Sequence, residues 1–264
     1  RFGPLADAVV SIEDRGFQFG DGVYEVIRTY RGQPFAIEEH LARLERSAQA
    51  LQLAIGQTRA QWSSLIREGL RLSQFPEAKI YLQITRGQAP RDHPFPVSSA
   101  PTTVLTFREL HPLDVSVRNA GVQAMSVEDI RWGRCDIKSV NLLANVLARQ
   151  RAKEAGVFEA ILVREGTVTE GSVSNVMVVR NGAVQTAPEG RRILSGVTRA
   201  IVLDLARKEG IPVAESFVTR EELLAASEVF LTGTTVEVLP VVRVDGRAIG
   251  GGSPGPVSQL LSRR

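Results

Sequence analysis

Short runs of β-branched residues alternate with amphipathic stretches along most of this chain. Residues 22–37 hold two β-rich runs around Arg31-Gly32, a pattern that predicts a hairpin. Residues 38–53 space their apolar side chains by three and four, which predicts a helix, and residues 58–73 predict a second helix. Further β-rich runs and helical stretches follow. The pattern indicates an α/β protein with mixed sheets.

The length of 264 residues is enough for one large domain or two modest ones. The composition shifts near residues 111–114, so we predict a smaller N-terminal α/β domain over 1–113 and a larger C-terminal α/β domain over 114–264. In the first we expect a strand at 7–11. In the second we expect a strand at 121–127 and a helix over 140–155 with Ser139 as its N-cap.

Composition excludes several classes of protein. With 43% hydrophobic and 23% charged residues, the chain is typical of a soluble globular protein. It has no run of 18 apolar residues, and its first residues lack the pattern of a signal peptide. Because of the absence of such an apolar run, we expect no membrane partner. A single cysteine, Cys135, fits a reducing compartment, so we expect the cytoplasm. Because the basic residues are scattered, we expect no nucleic-acid partner, and the separated histidines predict no metal site.

Lysine is scarce, which restricts any chemistry that needs an amine. Of 32 basic residues, only Lys79, Lys138, Lys153 and Lys208 are lysines. Lys138 precedes the predicted helix start among small and apolar residues, where a depressed pKa would make the neutral amine available for Schiff-base formation. The alternative is a surface lysine beside Asp136.

Other candidates lie at predicted helix starts and turns. Gly196, Val197 and Thr198 open a predicted helix and can present N–H groups and a hydroxyl to a phosphate, although this pattern is also an ordinary cap. Residues 231–235 form a second hydroxyl-rich turn. Arg43 lies off the apolar stripe of its helix, with an ion pair to Glu39 as the alternative. Glu170 is an acid beside Gly and Ser, with a solvated turn as the alternative.

Seven segments, read together, are specific to one family of enzymes. They are DRGFQFGDGVYEVIRTY, EHLARL, IYLQITRG, DIRWGRCDIKSVNLL, EGSVSN, LSGVTR and TGTTVEVLPV. In these segments the chain resembles the class IV (fold type IV) pyridoxal-phosphate aminotransferases, and most closely the D-amino acid transaminases. The resemblance extends over nearly the whole chain and implies the two-domain architecture of fold type IV enzymes, with pyridoxal 5′-phosphate as cofactor.

The resemblance also implies a role for each matching residue. Lys138, in the C-terminal domain, would bind the cofactor covalently and transfer protons, and Glu170 would sit by the pyridine nitrogen. Tyr24 would lie beside the cofactor and the substrate carboxylate. The residues implied to hold the phosphate and the ring are Arg43, Leu194, Val197, Thr198 and Thr234. Val173 departs from the family pattern, because relatives often carry a small hydroxyl residue there.

The loop at residues 87–96 bears on the substrate. Arg91 and His93 are two residues apart, so in an extended segment their side chains project to the same side. Spacing alone favours a solvent-exposed polar loop. The resemblance implies instead that they bind the substrate carboxylate in the active site of the partner subunit. The protein would then be a homodimer that acts on D-amino acids such as D-alanine, with 2-oxoglutarate or pyruvate as acceptor.

Two rival enzymes share this fold, an L-branched-chain aminotransferase and an aminodeoxychorismate lyase. The first usually carries an aromatic-x-Arg-Pro stretch where this chain reads KIYLQITRG, and the second a Gly-rich Arg-Gly-Tyr stretch where it reads QAPRDHPFP. Both are therefore disfavoured. Two non-enzymatic alternatives are a pyridoxal-phosphate-binding protein without turnover and an α/β protein without cofactor. The lysine, the carboxylate and the phosphate residues together argue against both.

Overall fold

The computed structural model describes residues 2–264, which form two compact units. The first unit ends at His111 and also takes in Ile137–Asn141. The second consists of Pro112–Asp136 and Leu142–Arg264. Lys138 is expected in the C-terminal domain, whereas the segment that carries Lys138 groups with the first unit.

The first unit is an antiparallel sheet with helices. Its elements are α1 (Arg15–Phe19), β1 (Gly22–Tyr30), β2 (Gln33–Pro34), α2 (Ile37–Ala50), α3 (Arg59–Ser73), β3 (Ala78–Thr85) and β4 (Thr102–Glu109). The strand order is β2-β1-β3-β4. Gly22 of β1 lies opposite Thr85 of β3, and Val26 lies opposite Tyr81.

Alternation along β1 sets the core of this unit. Val23 and Ile27 are fully buried and pack with Leu41 and Leu44 of α2. Tyr24, the next residue along β1, points to the other face, because successive residues of a strand alternate. The predicted hairpin and both predicted helices are present, and they place α2 against β1.

Residues 137–141 pair with β1 instead of starting a helix. Ser139 forms a bridge with Val23, Tyr24 N donates to Lys138 O over 3.0 Å, and Val140 N donates to Gly22 O over 3.1 Å. Because this pairing holds the backbone extended, the following helix begins at Leu143 with Leu142 as its N-cap. The predicted start at Val140, with Ser139 as cap, is wrong.

The second unit contains a larger mixed sheet. Its elements are α4 (Val115–Ala120), β5 (Val122–Glu128), α5 (Leu143–Glu154), β6 (Glu159–Arg164), β7 (Thr167–Gly171), β8 (Asn175–Arg180), β9 (Ala183–Thr186), α6 (Val197–Lys208), β10 (Val213–Glu215), β11 (Val218–Thr219), α7 (Arg220–Leu224), β12 (Glu228–Gly233), β13 (Glu237–Val244), β14 (Arg247–Ala248) and α8 (Pro256–Arg263). The strand order is β10-β9-β8-β12-β13-β5-β6-β7-β11, with β14 paired to β13. The α/β fold class with mixed sheets is therefore confirmed.

The middle of this sheet is buried on both faces. Val176, Met177, Val178 and Val179 of β8 are all buried, as expected of a strand covered on two sides. One face packs against α6, where Val202 and Leu203 join the cluster that contains Met177. This packing holds α6 against β8.

The predicted strand at residues 7–11 is wrong. This segment instead begins at the end of a short 3-10 turn, Leu5–Asp7, and continues without regular structure, with Val9 and Val10 exposed. A β-rich run needs a partner strand to form a ladder. Over residues 2–264, no helix has the length and apolarity needed to cross a membrane.

Candidate active site

Lys138 lies against Tyr24 in the first unit. Its Nζ is 4.3 Å from the centroid of the Tyr24 ring, and its backbone N donates to Ser47 Oγ of α2 over 3.2 Å. The side chain is half-buried, and the carboxylate of Asp136 is bound by Arg134 over 2.8 Å. The structure therefore brings together the predicted lysine and the predicted tyrosine.

Arg43 is buried on α2 and bound by a carboxylate that was not predicted from the sequence. Its Nε and Nη2 donate to Glu25 Oε1 and Oε2 over 2.8 and 2.9 Å, and His40 Nδ1 lies 2.8 Å from Oε2. Burial raises the pKa of Glu25, but the charge and hydrogen bonds of Arg43 and His40 outweigh it, so the pKa falls to about 2. One edge of the guanidinium is thus fixed by Glu25.

Arg91 and His93 lie on a loop between β3 and β4, as predicted, and both residues are exposed in this chain. Both side chains contact Phe19 of α1. The Arg91 guanidinium carbon is 5.1 Å from the ring centroid of Phe19, and the ring of His93 is 5.5 Å from it. The structure therefore brings these two predicted residues to one aromatic side chain of the first unit.

Glu170 is buried on β7 of the second unit, which excludes the solvated-turn alternative. Its carboxylate accepts from Leu194 N over 3.1 Å and from Asn175 Nδ2 over 3.0 Å, and it pairs with Arg131. Asn175 Nδ2 also donates to Leu194 O over 3.0 Å. The structure thus brings together Glu170 and Leu194, with Asn175 as the link.

Burial and Arg131 act on Glu170 in opposite directions. Desolvation raises the pKa of Glu170, Arg131 lowers it, and the net shift is upward. Arg131 also binds Asp129 over 2.9 Å, and burial opposed by this pairing leaves the pKa of Asp129 at about 2. Arg131 therefore has one fully ionised partner and a second, Glu170, whose carboxylate is unusually basic.

The start of α6 has a glycine at its N-cap position. Its N-cap, Gly196, gives no side-chain hydrogen bond. A Cβ at Gly196 would lie 2.0 Å from Asn175 Oδ1, so a larger residue does not fit. Val197 is buried and Thr198 half-buried at this end, and Thr234 is half-buried in the turn after β12. An uncapped helix start suits a phosphate.

Glu25, His40 and Arg131 were not predicted from the sequence. A signal for Glu25 does exist, because it lies on the same face of β1 as Val23 and Ile27, and an acid on a buried face needs a partner. His40 is adjacent to Leu41 of the apolar stripe of α2. Asp129, two residues before Arg131, marks a local ion pair, but nothing in the local pattern links Arg131 to Glu170 of β7.

These groups are those that one cofactor requires. A lysine amine can bind a carbonyl, a basic buried carboxylate can hold a pyridine proton, and an uncapped helix start can bind a phosphate. Within residues 2–264, no cluster of three or more His, Cys, Asp or Glu side chains could hold a metal ion. The first unit carries the lysine and the second carries the carboxylate and the helix start, and each is a kind of group that pyridoxal-phosphate enzymes use.

Comparison with known proteins identifies the family. A model of the family described as amino-transferase class IV matches residues 22–244. The chain belongs to this family, whose members depend on pyridoxal 5′-phosphate. It is 46% identical over 255 residues to a D-alanine aminotransferase of Bacillus licheniformis, covering 96% of this chain and 89% of the relative. A D-alanine aminotransferase of Staphylococcus haemolyticus is 44% identical, with coverage of 97% and 90%.

Solved structures of branched-chain amino acid aminotransferases share the fold. One from the archaeon Thermoproteus uzoniensis, with norvaline, has a TM-score of 0.91 at 29% identity and covers 100% of this chain and 90% of its own. One from Escherichia coli has a TM-score of 0.91 at 28% identity, with coverage of 98% and 89%. The chain is thus an aminotransferase of fold type IV.

Proposed function

We propose that this protein transfers the amino group of a D-amino acid such as D-alanine to 2-oxoglutarate or pyruvate. The observation that carries the proposal is the 46% identity over 255 residues with a D-alanine aminotransferase. The identity with the branched-chain enzyme of Thermoproteus uzoniensis is only 29%, although the backbones agree closely. Fold alone does not choose a substrate. The higher identity and the Arg91 loop favour D-amino acids.

The residues of the two units fit the cofactor. Lys138 Nζ would hold it covalently, with Tyr24 beside the amine. Arg43, fixed by Glu25, and the open start of α6 at Val197 and Thr198 would bind the phosphate, together with Thr234. Leu194 would pack on the ring. When bound, the cofactor supplies an electrophilic carbon and an electron sink for the negative charge that develops on the substrate.

Lys138 and Glu170 divide the proton chemistry between them. The neutral amine of Lys138 takes the α-proton of the substrate and returns it later, as a general base and then a general acid. Glu170 holds a proton at the pyridine nitrogen, and its raised pKa strengthens that bond. Arg131 keeps the carboxylate in place during both halves of the reaction.

The substrate carboxylate is the group that fixes handedness. Arg91 can bind a carboxylate through two parallel hydrogen bonds, and His93 adds a third donor. With Tyr24 these residues would orient the α-hydrogen of a D-amino acid toward Lys138. In the resembling enzymes the loop acts in the partner subunit, and the same arrangement is proposed here.

A homodimer in the cytoplasm is part of the proposal. Leu143, Val146 and Leu147 share one side of α5 and are 49–73% exposed, and Val173 is 67% exposed. Large exposed apolar side chains gathered on one helix are typical of a surface that a second subunit covers. The single cysteine supports a reducing compartment.

A substrate panel tests the function. Purified holoenzyme is assayed with D-alanine, L-leucine and L-valine against 2-oxoglutarate, and with D-glutamate, L-leucine and L-valine against pyruvate. D-alanine is not paired with pyruvate, nor D-glutamate with 2-oxoglutarate, because those pairs give no net reaction. Preference for the D-amino acids supports the proposal. Faster turnover of L-leucine or L-valine would favour the branched-chain alternative, and pyruvate release from aminodeoxychorismate would favour the lyase. No turnover of any of these substrates would indicate a protein that only binds the cofactor.

A further inference from the structure

The loop that carries Arg91 and His93 is held by α1. At its base, Arg15 N donates to Gly87 O over 2.9 Å, and Ala89 N donates to Glu13 O over 3.1 Å. At its tip, the Arg15 guanidinium donates to Asp92 O over 2.5 Å and to His93 O over 3.1 Å. The backbone on either side of these two carbonyls is exposed and has no regular structure.

Arg15 is itself held rigidly. It is only 3% exposed, and its Nε donates to Asp21 Oδ2 over 2.9 Å. Arg86 binds both oxygens of the same carboxylate over 2.8 and 3.0 Å. Burial raises the pKa of Asp21, but the hydrogen bonds and charges of Arg86 and Arg15 outweigh this effect. The net pKa is lowered, so the carboxylate stays ionised. A charged carboxylate between two guanidinium groups fixes the direction in which Arg15 points.

The same helix also contacts the two side chains of the loop. Phe19 lies one turn after Arg15 on α1, and residues four apart share a helix face. Arg15 lies 4.8 Å from the Phe19 ring centroid, and that ring contacts both Arg91 and His93. Arg15 thus binds the loop backbone, and Phe19 contacts the side chains of Arg91 and His93 in the same loop. Arg86 adds a contact 3.7 Å from the ring centroid of Phe95, further along the loop.

We infer that Arg15 is a positioning residue for substrate carboxylate recognition, which it controls by fixing the backbone that presents Arg91 and His93. This inference rests on the proposed role of Arg91. Arg15 itself would touch neither substrate nor cofactor. Its loss should therefore weaken binding of anything with a carboxylate and leave cofactor affinity unchanged.

The test is a double-mutant cycle on the holoenzyme with Arg15→Ala, Arg91→Ala and the double variant. Two quantities are measured, KM for D-alanine and the Kd of propionate, which has a carboxylate and no amino group, from the absorbance of the bound cofactor. Arg15→Ala should raise both by about tenfold. The double variant should stay within about twofold of Arg91→Ala, because residues that act through one another are not additive.

Two further variants and one binding measurement separate positioning from general damage. Arg15→Lys keeps the charge but lacks the planar fork that reaches Asp21 and the two loop carbonyls together, so it should show an intermediate defect. This variant keeps the test decisive if Arg15→Ala folds poorly. Arg71→Ala removes an exposed arginine of the same unit, paired with Glu68, and should change nothing. The Kd of pyridoxal 5′-phosphate should remain at the wild-type value in all variants.

The outcomes distinguish the inference from the proposed function. A defect in Arg91→Ala with none in either Arg15 variant would overturn the role of Arg15 and leave the proposed function intact. Fully additive losses would also overturn it, because Arg15 would then act independently of Arg91. No defect in Arg91→Ala would refute the proposed role of Arg91 and the inference with it.

Discussion

Lys138 lies against the Tyr24 ring, and its side chain is half-buried. Because the other lysines are Lys79, Lys153 and Lys208, a covalent cofactor has few possible positions. We expect borohydride reduction followed by peptide mapping to find the cofactor on Lys138. Lys138→Ala should remove transamination and leave the fold, because a half-buried side chain contributes little to the core. Recovery of the reduced adduct on another lysine would contradict the assignment.

The proposed role of Glu170 can be tested by a single substitution. Glu170→Gln keeps the shape and removes the charge that we propose holds the pyridine proton. We expect it to bind the cofactor and to lower kcat by roughly a hundredfold, on the order of 3 kcal/mol. Glu228→Gln is a matched control, since Glu228 is also buried and binds the start of α8 through Ser258 N over 2.8 Å. The control should lower stability and not kcat. If Glu170→Gln and Glu228→Gln had equal kcat values, Glu170 would have no specific role in the reaction.

At the scale of elements, Glu25 joins β1 to α2 through Arg43 and His40. Its pKa falls from 4.5 to about 2, so the bond stabilises the fold fully above about pH 4.5 and is lost as pH falls through 2. Glu25→Gln should therefore be less stable than wild type at pH 7 by on the order of 3 kcal/mol. That difference should stay constant from pH 7 to about pH 4.5 and shrink as the pH falls below that value.

Urea unfolding between pH 7 and pH 3, followed by tryptophan fluorescence, measures this difference. Glu68→Gln is the control, because Glu68 pairs with Arg71 at the surface and its removal should cost little at any pH. A stability gap between wild type and Glu25→Gln that does not depend on pH would show that the charge of Glu25 is not what stabilises this contact.

Elements with a strong local period could be predicted from the sequence, and those that depend on distant partners could not. The helix expected over 38–53 is α2, because its apolar stripe is local. The helix expected from Val140 starts at Leu143, because residues 137–141 pair with β1. The run at 7–11 has strand-like composition and forms no strand. In each failure, a tertiary contact or its absence decided the outcome.

The same rule applies to the candidate site. Lys138, Glu170 and the start of α6 lie in short motifs that can be recognised along the chain. The partners that tune them come from elsewhere in sequence: Arg131 for Glu170, Glu25 for Arg43, and Arg15 for the loop of Arg91. No local spacing joins these pairs, so only the fold reveals them.

At the scale of the whole molecule, the proposed dimer makes each active site depend on both subunits. Co-expression of Lys138→Ala and Arg91→Ala chains with different tags tests this. In a mixed dimer, one site would hold Lys138 from one subunit and Arg91 from the other. Random pairing of two such chains would then restore roughly a quarter of the wild-type activity. Activity no higher than that of the Arg91→Ala homodimer would mean that the loop acts within its own subunit.

The central claim is amino transfer from a D-amino acid through a covalent cofactor, and a single half-reaction tests it most directly. Holoenzyme is mixed with D-alanine without any acceptor, and the absorbance of the cofactor and the pyruvate released are followed together. We expect one pyruvate per bound cofactor, then a stop until 2-oxoglutarate is added, and no comparable reaction with L-leucine or L-valine. A faster half-reaction with the L-amino acids, or pyruvate that accumulates without an acceptor, would contradict the claim.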